Sequence, residues 1–313
     1  MNAEFLAALR EGGKERIRRV PKTDFHNHSI LGTRLKSVEK WIGLSLPKPP
    51  ARMKSLQAMK EYAEQILYPH IYSREGFEFT ADSALQDAIY DGVVVLEMSL
   101  DSKFIEMFPD RKNGFISFLS RLNRKYQQKI NFRPELGISR DQNFREIEGV
   151  LIRCIESSCF YALDLYGYER AQTPETYKFL YKKTRQKGMK LKAHVGEFGD
   201  AESIRKTVEV LGLDEVQHGI SAAESVEVMN LLRENAIKLN VCPTSNLALG
   251  RVPSFKSHPL RKLFDAGLFV TINTDDLMIF NQSVSEEYLN LLRTGAFTDE
   301  QLDHIRARAL ESA

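Results

Sequence analysis

The fold predicted for this chain is an α/β one, a closed (β/α)8 TIM barrel with a helical insertion after strand 1, and three observations predict it. Eight short β-rich runs recur along the sequence, amphipathic stretches of helical period separate several of them, and 313 residues suit such a barrel with insertions. In order, the runs are Lys22–Asn27, Gly92–Ser99, Ile130–Gly137, Phe160–Tyr166, Lys190–Gly196, Glu215–Gly219, Ile237–Cys242 and Leu268–Asn273. Thr173–Lys187, Ala201–Leu211 and Ala222–Glu234 are the clearest helical stretches. The runs read as apolar, as expected of parallel strands buried on both faces. An open doubly wound sheet is the alternative, but no Gly-x-Gly-x-x-Gly turn follows the first run.

Ahead of the first strand, Met1 to Arg19 reads as one amphipathic helix without the apolar core of a secretory signal. Between the first and second strands lies the insertion. Its Leu44–Pro50 stretch is proline-rich, and Met53–Leu67 reads as a helix with Leu56, Met59, Tyr62 and Ile66 on one face. A loop after a barrel strand emerges on the active-site face, so residues 36–90 are expected to form a helical lid. No linker or low-complexity segment divides the chain, and residues 1–313 read as one domain.

Composition narrows the function. The chain is 42% hydrophobic and 27% charged with a net charge of +2, which gives no basic surface for nucleic acid. The basic cluster from Arg10 to Arg19 is interrupted by Glu11 and Glu15. No apolar stretch approaches the roughly 20 residues of a membrane span. Cys154, Cys159 and Cys242 form neither a Cys-x-x-Cys pair nor an even disulfide framework, in keeping with a reducing cytoplasm. A small-molecule substrate is expected, and oligomeric state is left open.

Chemistry-bearing residues gather at the ends of the predicted strands. His26-Asn27-His28 places two imidazoles two residues apart, on one side of an extended strand. His194 and Glu197 end strand five, His218 strand six, and Asp275-Asp276 strand eight. In a barrel these ends surround one axis. His70, His258 and His304 fall in helical or loop contexts and receive no role. Three neutral imidazoles and one carboxylate suit a borderline divalent metal, zinc first. His26, His28, His194 and Asp275 would hold one ion per chain and leave a position for water, whose pKa zinc can lower to about 7. His218 would orient that water and stabilise its deprotonated form. Glu197 would be a proton donor on the substrate side, provided burial raises its pKa.

These residues resemble the adenosine/AMP deaminase family of the amidohydrolase superfamily. The resemblance rests on His26-Asn27-His28, His194-Val195-Gly196-Glu197, His218-Gly219, Cys242-Pro243-Thr244-Ser245-Asn246 and Asn273-Thr274-Asp275-Asp276, in that order. Asp164-Leu165-Tyr166-Gly167-Tyr168-Glu169, Gly250 and His258-Pro259 also fit. It implies zinc on His26, His28, His194 and Asp275, with Glu197 protonating a ring nitrogen and His218 positioning the attacking hydroxide. It further implies that Asp276 and the Gly167 amide meet other ring nitrogens, with His28 and Asp275 beside the substrate as well. The activity implied is hydrolytic deamination of adenosine or a related 6-aminopurine nucleoside, giving ammonia and the inosine-type product.

Two departures bear on the substrate. Adenosine deaminases carry Leu-Asp-Gly after the second histidine, and the Asp binds a ribose hydroxyl. Here Ser29-Ile30-Leu31-Gly32 offers only Ile30 or Leu31 at that place. The family's Glu-x-Arg-x-Ser-Pro stands as Glu97-Met98-Ser99-Leu100-Asp101-Ser102, without the arginine. Deamination of adenine or another aminated heterocycle, or amide or ring hydrolysis on the same metal, therefore remains the alternative. A non-catalytic binding protein on the same scaffold is the third reading, disfavoured by retention of every ligand and of Glu197.

Overall fold

The computed structural model describes residues 1–53 and 55–313; Lys54, inside the helix expected over Met53–Leu67, lies outside the described residues. Eight strands pair in sequence order: β1 (Lys22–His28), β2 (Val93–Asp101), β3 (Asn131–Ser139), β4 (Ala162–Tyr166), β5 (Lys190–Val195), β6 (Glu215–His218), β7 (Lys238–Val241) and β8 (Phe269–Ile272). Every neighbouring pair is parallel. This sequential order is that of a (β/α)8 barrel and excludes the doubly wound sheet, whose strand order reverses. β2 and β3 run on to Asp101 and Ser139, two residues beyond the expected ends, and so carry those side chains up to the rim.

The helices follow their local signals. Ala201–Leu211 forms as expected, with Asp200 accepting from the Ser203 amide at 2.8 Å and Gly212 closing the last turn at φ +66°. The stretch expected as Thr173–Lys187 begins as a 3₁₀ turn at Pro174–Tyr177 and becomes α-helical over Lys178–Gln186. Ala222–Glu234 is likewise split, because the Ser225 side chain caps a new helix at Val226–Glu234. The single helix expected from Met1 to Arg19 is two, Ala3–Arg10 and Lys14–Arg18. Gly12 at φ +66° turns the chain between them.

The barrel interior departs from the expectation of apolar runs. Residues on its inner face beneath the rim are charged. Lys192 is fully buried two residues before His194, so it projects from β5 to the same side one layer deeper. Its ammonium pairs with Glu97 of β2, with Glu135 of β3 at 2.6 Å and with Glu215 of β6 at 3.1 Å. Arg133 adds a second cation to Glu97 at 2.9 Å, and Lys238 one to Glu215 at 3.1 Å. Three carboxylates thus face three cations. Burial opposes the charge on Lys192, and the surrounding carboxylates more than offset it, so the ammonium stays protonated. The apolar half of each strand faces outward instead, as Leu191, Ala193 and Val195 do on β5, all buried in the main core.

This network ties four strands through one side chain, and removing that side chain strands its partners. Lys192→Met is expected to cost about 3–5 kcal/mol of stability, the usual penalty for breaking a buried ion pair. Equilibrium denaturation against the wild type reads this directly. A loss below about 1 kcal/mol would show the network to be dispensable.

Candidate active site

His26, His28 and His194 converge above this ionic layer. His194 Nε2 lies 3.0 Å from His26 Nε2 and 3.2 Å from His28 Nε2. Asp275 Oδ1 lies 3.6 Å and 3.4 Å from the same two nitrogens of His26 and His28. The outer nitrogens are held from behind. His26 Nδ1 meets the Asn240 carbonyl at 3.1 Å, and His194 Nδ1 faces Asp164 Oδ1 at 3.3 Å. A carbonyl can only accept, so the proton of His26 sits on Nδ1 and its Nε2 presents a lone pair. Burial also lowers the pKa of His26 and His28, keeping both rings neutral. Inward lone pairs backed by acceptors on the far ring nitrogens are the donor set of a divalent metal site. The residues therefore fit the metal expected of them.

What brings Asp275 to the histidines is the seam between β1 and β8. There the ladder shrinks to a single bridge, Asn27↔Asp275, and side chains replace the missing strand bonds. Asp275 N donates to the His26 carbonyl at 2.8 Å. Phe25 N donates to Asn273 Oδ1 at 2.8 Å. Thr274 Oγ1 donates to Asp24 Oδ2 at 2.5 Å and accepts from Asn27 Nδ2 at 3.2 Å. The residues flanking the proposed ligands in both motifs thus lock the seam. Asp275 takes φ +63° and His218 φ +62°, a backbone region uncommon outside glycine and paid for by the surrounding contacts.

Glu197 and His218 face each other beside this cluster, with His218 Nε2 3.5 Å from Glu197 Oε2 and 3.8 Å from Asp275 Oδ2. A relay behind them sets their protonation. Leu260 N donates to His258 Nδ1 at 3.0 Å, which leaves the ring proton on Nε2. That Nε2 meets Asn246 Oδ1 at 3.2 Å and so orients the amide, whose Nδ2 donates to Glu197 Oε1 at 2.9 Å and to His218 Nδ1 at 3.2 Å. His218 consequently carries its own proton on Nε2, toward Asp275 and Glu197. Burial keeps the ring neutral. Burial, then the neighbouring charges of Asp275 and Glu169, raise the Glu197 carboxyl well above the usual range, against the Asn246 hydrogen bond. His258, given no role on sequence grounds, belongs to this relay. The Cys242-Pro243-Thr244-Ser245-Asn246 motif pointed to Asn246, but nothing marked its link to His258.

Glu169 is a second unanticipated member. Its Oε1 accepts from the amides of Glu197 and Phe198 at 3.0 and 2.7 Å, and its Oε2 from the Gly196 amide at 2.8 Å. One carboxylate thereby fixes the turn that carries Glu197.

The metal-type cluster opens into a cavity of about 400 Å³. Asp276 lies on its wall, buried, with Oδ1 unpartnered, and burial followed by repulsion from Asp275 raises its pKa well above the usual range. Gly167 sits opposite at φ +93°, where an added Cβ would fall 3.1 Å from Asp141 Oδ2. Ile30 and Leu31 line the cavity and are nearly fully buried. The insertion roofs it. Leu56–Tyr62 is α-helical and Ala63–Leu67 a π-turn, and this pair supplies Leu56, Met59, Lys60 and Glu64 to the lining. Tyr168 Oη donates to Gln57 Oε1 at 2.6 Å, tying the roof to the loop after β4. No helix among the described residues is long and apolar enough to cross a membrane.

Comparison with known proteins agrees with this geometry. The family model of adenosine deaminase matches residues 71–313. A Treponema pallidum (strain Nichols) protein provisionally named adenosine/adenine deaminase is 36% identical over 91% of this chain and 95% of its own. The adenosine deaminase of Clostridium acetobutylicum is 29% identical over 92% of this chain and 91% of its own. Among solved structures, the adenine deaminase of Arthrobacter aurescens superposes with a TM-score of 0.79 at 22% identity, over 94% of this chain and 93% of its own, a likeness of fold. The chain belongs to the adenosine deaminase family and is a hydrolytic deaminase.

Proposed function

We propose that this protein deaminates a 6-aminopurine nucleoside, adenosine or a close relative, with one zinc ion held by His26, His28, His194 and Asp275. The observation that carries the reading is the buried Glu197 carboxyl, its Oε2 3.5 Å from His218 Nε2 and beside the imidazole cluster, where burial favours the protonated form. Bound there, the divalent cation supplies Lewis acidity that makes a water deprotonable near neutral pH.

The chain's own groups account for the remaining steps. Adding water to the amine-bearing carbon destroys the ring's conjugation, and protonating the adjacent ring nitrogen offsets that cost. Glu197 holds that proton, since Asn246 occupies Oε1 and leaves Oε2 toward the cavity. The Nε2–H of His218 donates to the incoming oxygen and favours its deprotonated form. The water's proton passes by Asp275 Oδ2, on the His218 side, toward the departing amine. Ammonia leaves, the added hydroxyl gives up its second proton to Glu197, which is thereby regenerated, and a carbonyl remains. Asp276 and the Gly167 amide orient the purine, and His28 packs beside it. Glu197 and His218 are themselves buried beneath the roof, where preorganised polar groups act more strongly than in water. Adenine itself is the second reading, favoured by the apolar Ile30 and Leu31 in the lining.

Ammonia release from adenosine, deoxyadenosine and adenine by metal-loaded protein tests the reading, and silence with all three would sink it. His194→Ala is expected to lose metal and activity together. Glu197→Gln is expected to keep metal and lose at least roughly a hundredfold in rate, the scale of a positioned proton donor; wild-type turnover would remove Glu197 from the mechanism. Glu169→Gln disturbs the turn that aims Glu197 and is expected to lower kcat about tenfold with metal content unchanged. An unaltered kcat would show the turn to be rigid without it.

A further inference from the structure

The cavity extends beyond the purine end, and its outer wall states what the rest of the substrate is. The register of β1 against β2 pairs His28 with Ser99, and Ser29 N continues the pairing by donating to the Ser99 carbonyl at 3.0 Å. β1 ends at His28 and turns at once, with Leu31 N donating to the His28 carbonyl at 3.1 Å, so Ile30 lies in the turn above β1, while β2 continues to Asp101. The turn after β1 is apolar at Ile30; the last residue of β2 is a carboxylate. Both line the cavity. Asp101 Oδ1 accepts from Lys103 N at 2.8 Å, Oδ2 lies 4.0 Å from the Lys103 ammonium, and the Tyr166 hydroxyl is a further hydrogen-bond donor to the carboxylate. At the rim Asp101 shares the cavity lining with His28, Tyr68 and Tyr166.

We propose, building on the deaminase reading, that Asp101 is the specificity-determining residue of the outer pocket, accepting hydrogen bonds from sugar hydroxyls and repelling a 5′-phosphate. The chemistry of the wall supports both halves. A carboxylate accepts from a hydroxyl strongly and repels an anion at the same place. Of the two lysines that line the cavity, Lys60 is engaged by Asp141, and Lys103 lies 4.0 Å from Asp101 Oδ2. Glu64 from the roof adds a further negative charge to the lining. The substrate class is thus a neutral nucleoside, favoured over both the nucleotide and the bare base.

The test measures kcat/KM of the metal-loaded full chain for adenosine, adenine and adenosine 5′-monophosphate. In the wild type, adenosine is expected to exceed the monophosphate by at least about a hundredfold, the scale set by unmatched buried polar groups. Asp101→Ala is expected to reduce the adenosine-to-adenine ratio by at least about tenfold, chiefly through KM, and Asp101→Ala combined with Ile30→Asp to recover part of it. Asp101→Asn, which keeps an acceptor and drops the charge, is expected to narrow the gap between adenosine and its monophosphate. Thermal melting confirms that each variant is folded. A ratio unchanged within twofold in Asp101→Ala, or a wild type that prefers adenine or the monophosphate, overturns the role of Asp101 and leaves the deaminase reading standing. A wild type silent on all three substrates overturns both.

Discussion

The seam between β1 and β8 is the constraint on which the site depends. Every other neighbouring pair of strands is joined by a ladder, whereas this one is joined by a single bridge and a set of side-chain bonds. Asp24, Asn27, Asn273 and Thr274 make those bonds within the barrel wall. The consequence is chemical. A carboxylate at the end of β8 is drawn to within 3.4 Å and 3.6 Å of imidazole nitrogens at the end of β1, although 247 and 249 residues separate them in the chain. The cost is a left-handed backbone at Asp275.

Polarity is layered along the barrel axis. Lys192 and the acidic side chains around it fill the middle. Above them sit the imidazoles of His26 and His194, whose far nitrogens face the Asn240 carbonyl and Asp164. Above these sit carboxyl groups that burial keeps protonated, Glu197 and Asp276. Burial sets the protonation of Glu197, Asp276, His26 and His218, and fixed hydrogen bonds orient Glu197, His26 and His218, so little reorganisation is required at the moment of reaction. Asn246 is central, since one amide orients both the proton donor and its neighbouring histidine, and His258 in turn orients the amide.

Strand ends and the residues clustered on them were legible in the sequence because strand–helix alternation and the barrel rule convert distant motifs into one ring. Ala201–Leu211 was legible for a similar reason, being capped by Asp200 and Gly212. The charged interior was not. Lys192 and Glu97 lie among residues of β-forming character, and period-two alternation in runs of four to nine residues does not announce which face is polar. Glu169 and His258 stood within the matched motifs, but their roles were illegible for another reason: they act through backbone amides or through another side chain, and spacing does not state such contacts. The break at Gly12 was visible as a residue but not as a turn, because glycine within an amphipathic run does not by itself end a helix.

The direct test of the seam's role is divalent-metal affinity, measured by competition with a chelator, in two substitutions at Thr274. Thr274→Ser keeps the hydroxyl that joins Asp24 and Asn27, and Thr274→Val removes it at similar volume. The account predicts wild-type affinity for the serine variant and at least about a tenfold loss for the valine variant, the scale of a disturbed supporting contact, with far-UV circular dichroism unchanged in both. Equal affinity in both folded variants would contradict it, because the ligands would then be positioned without the seam.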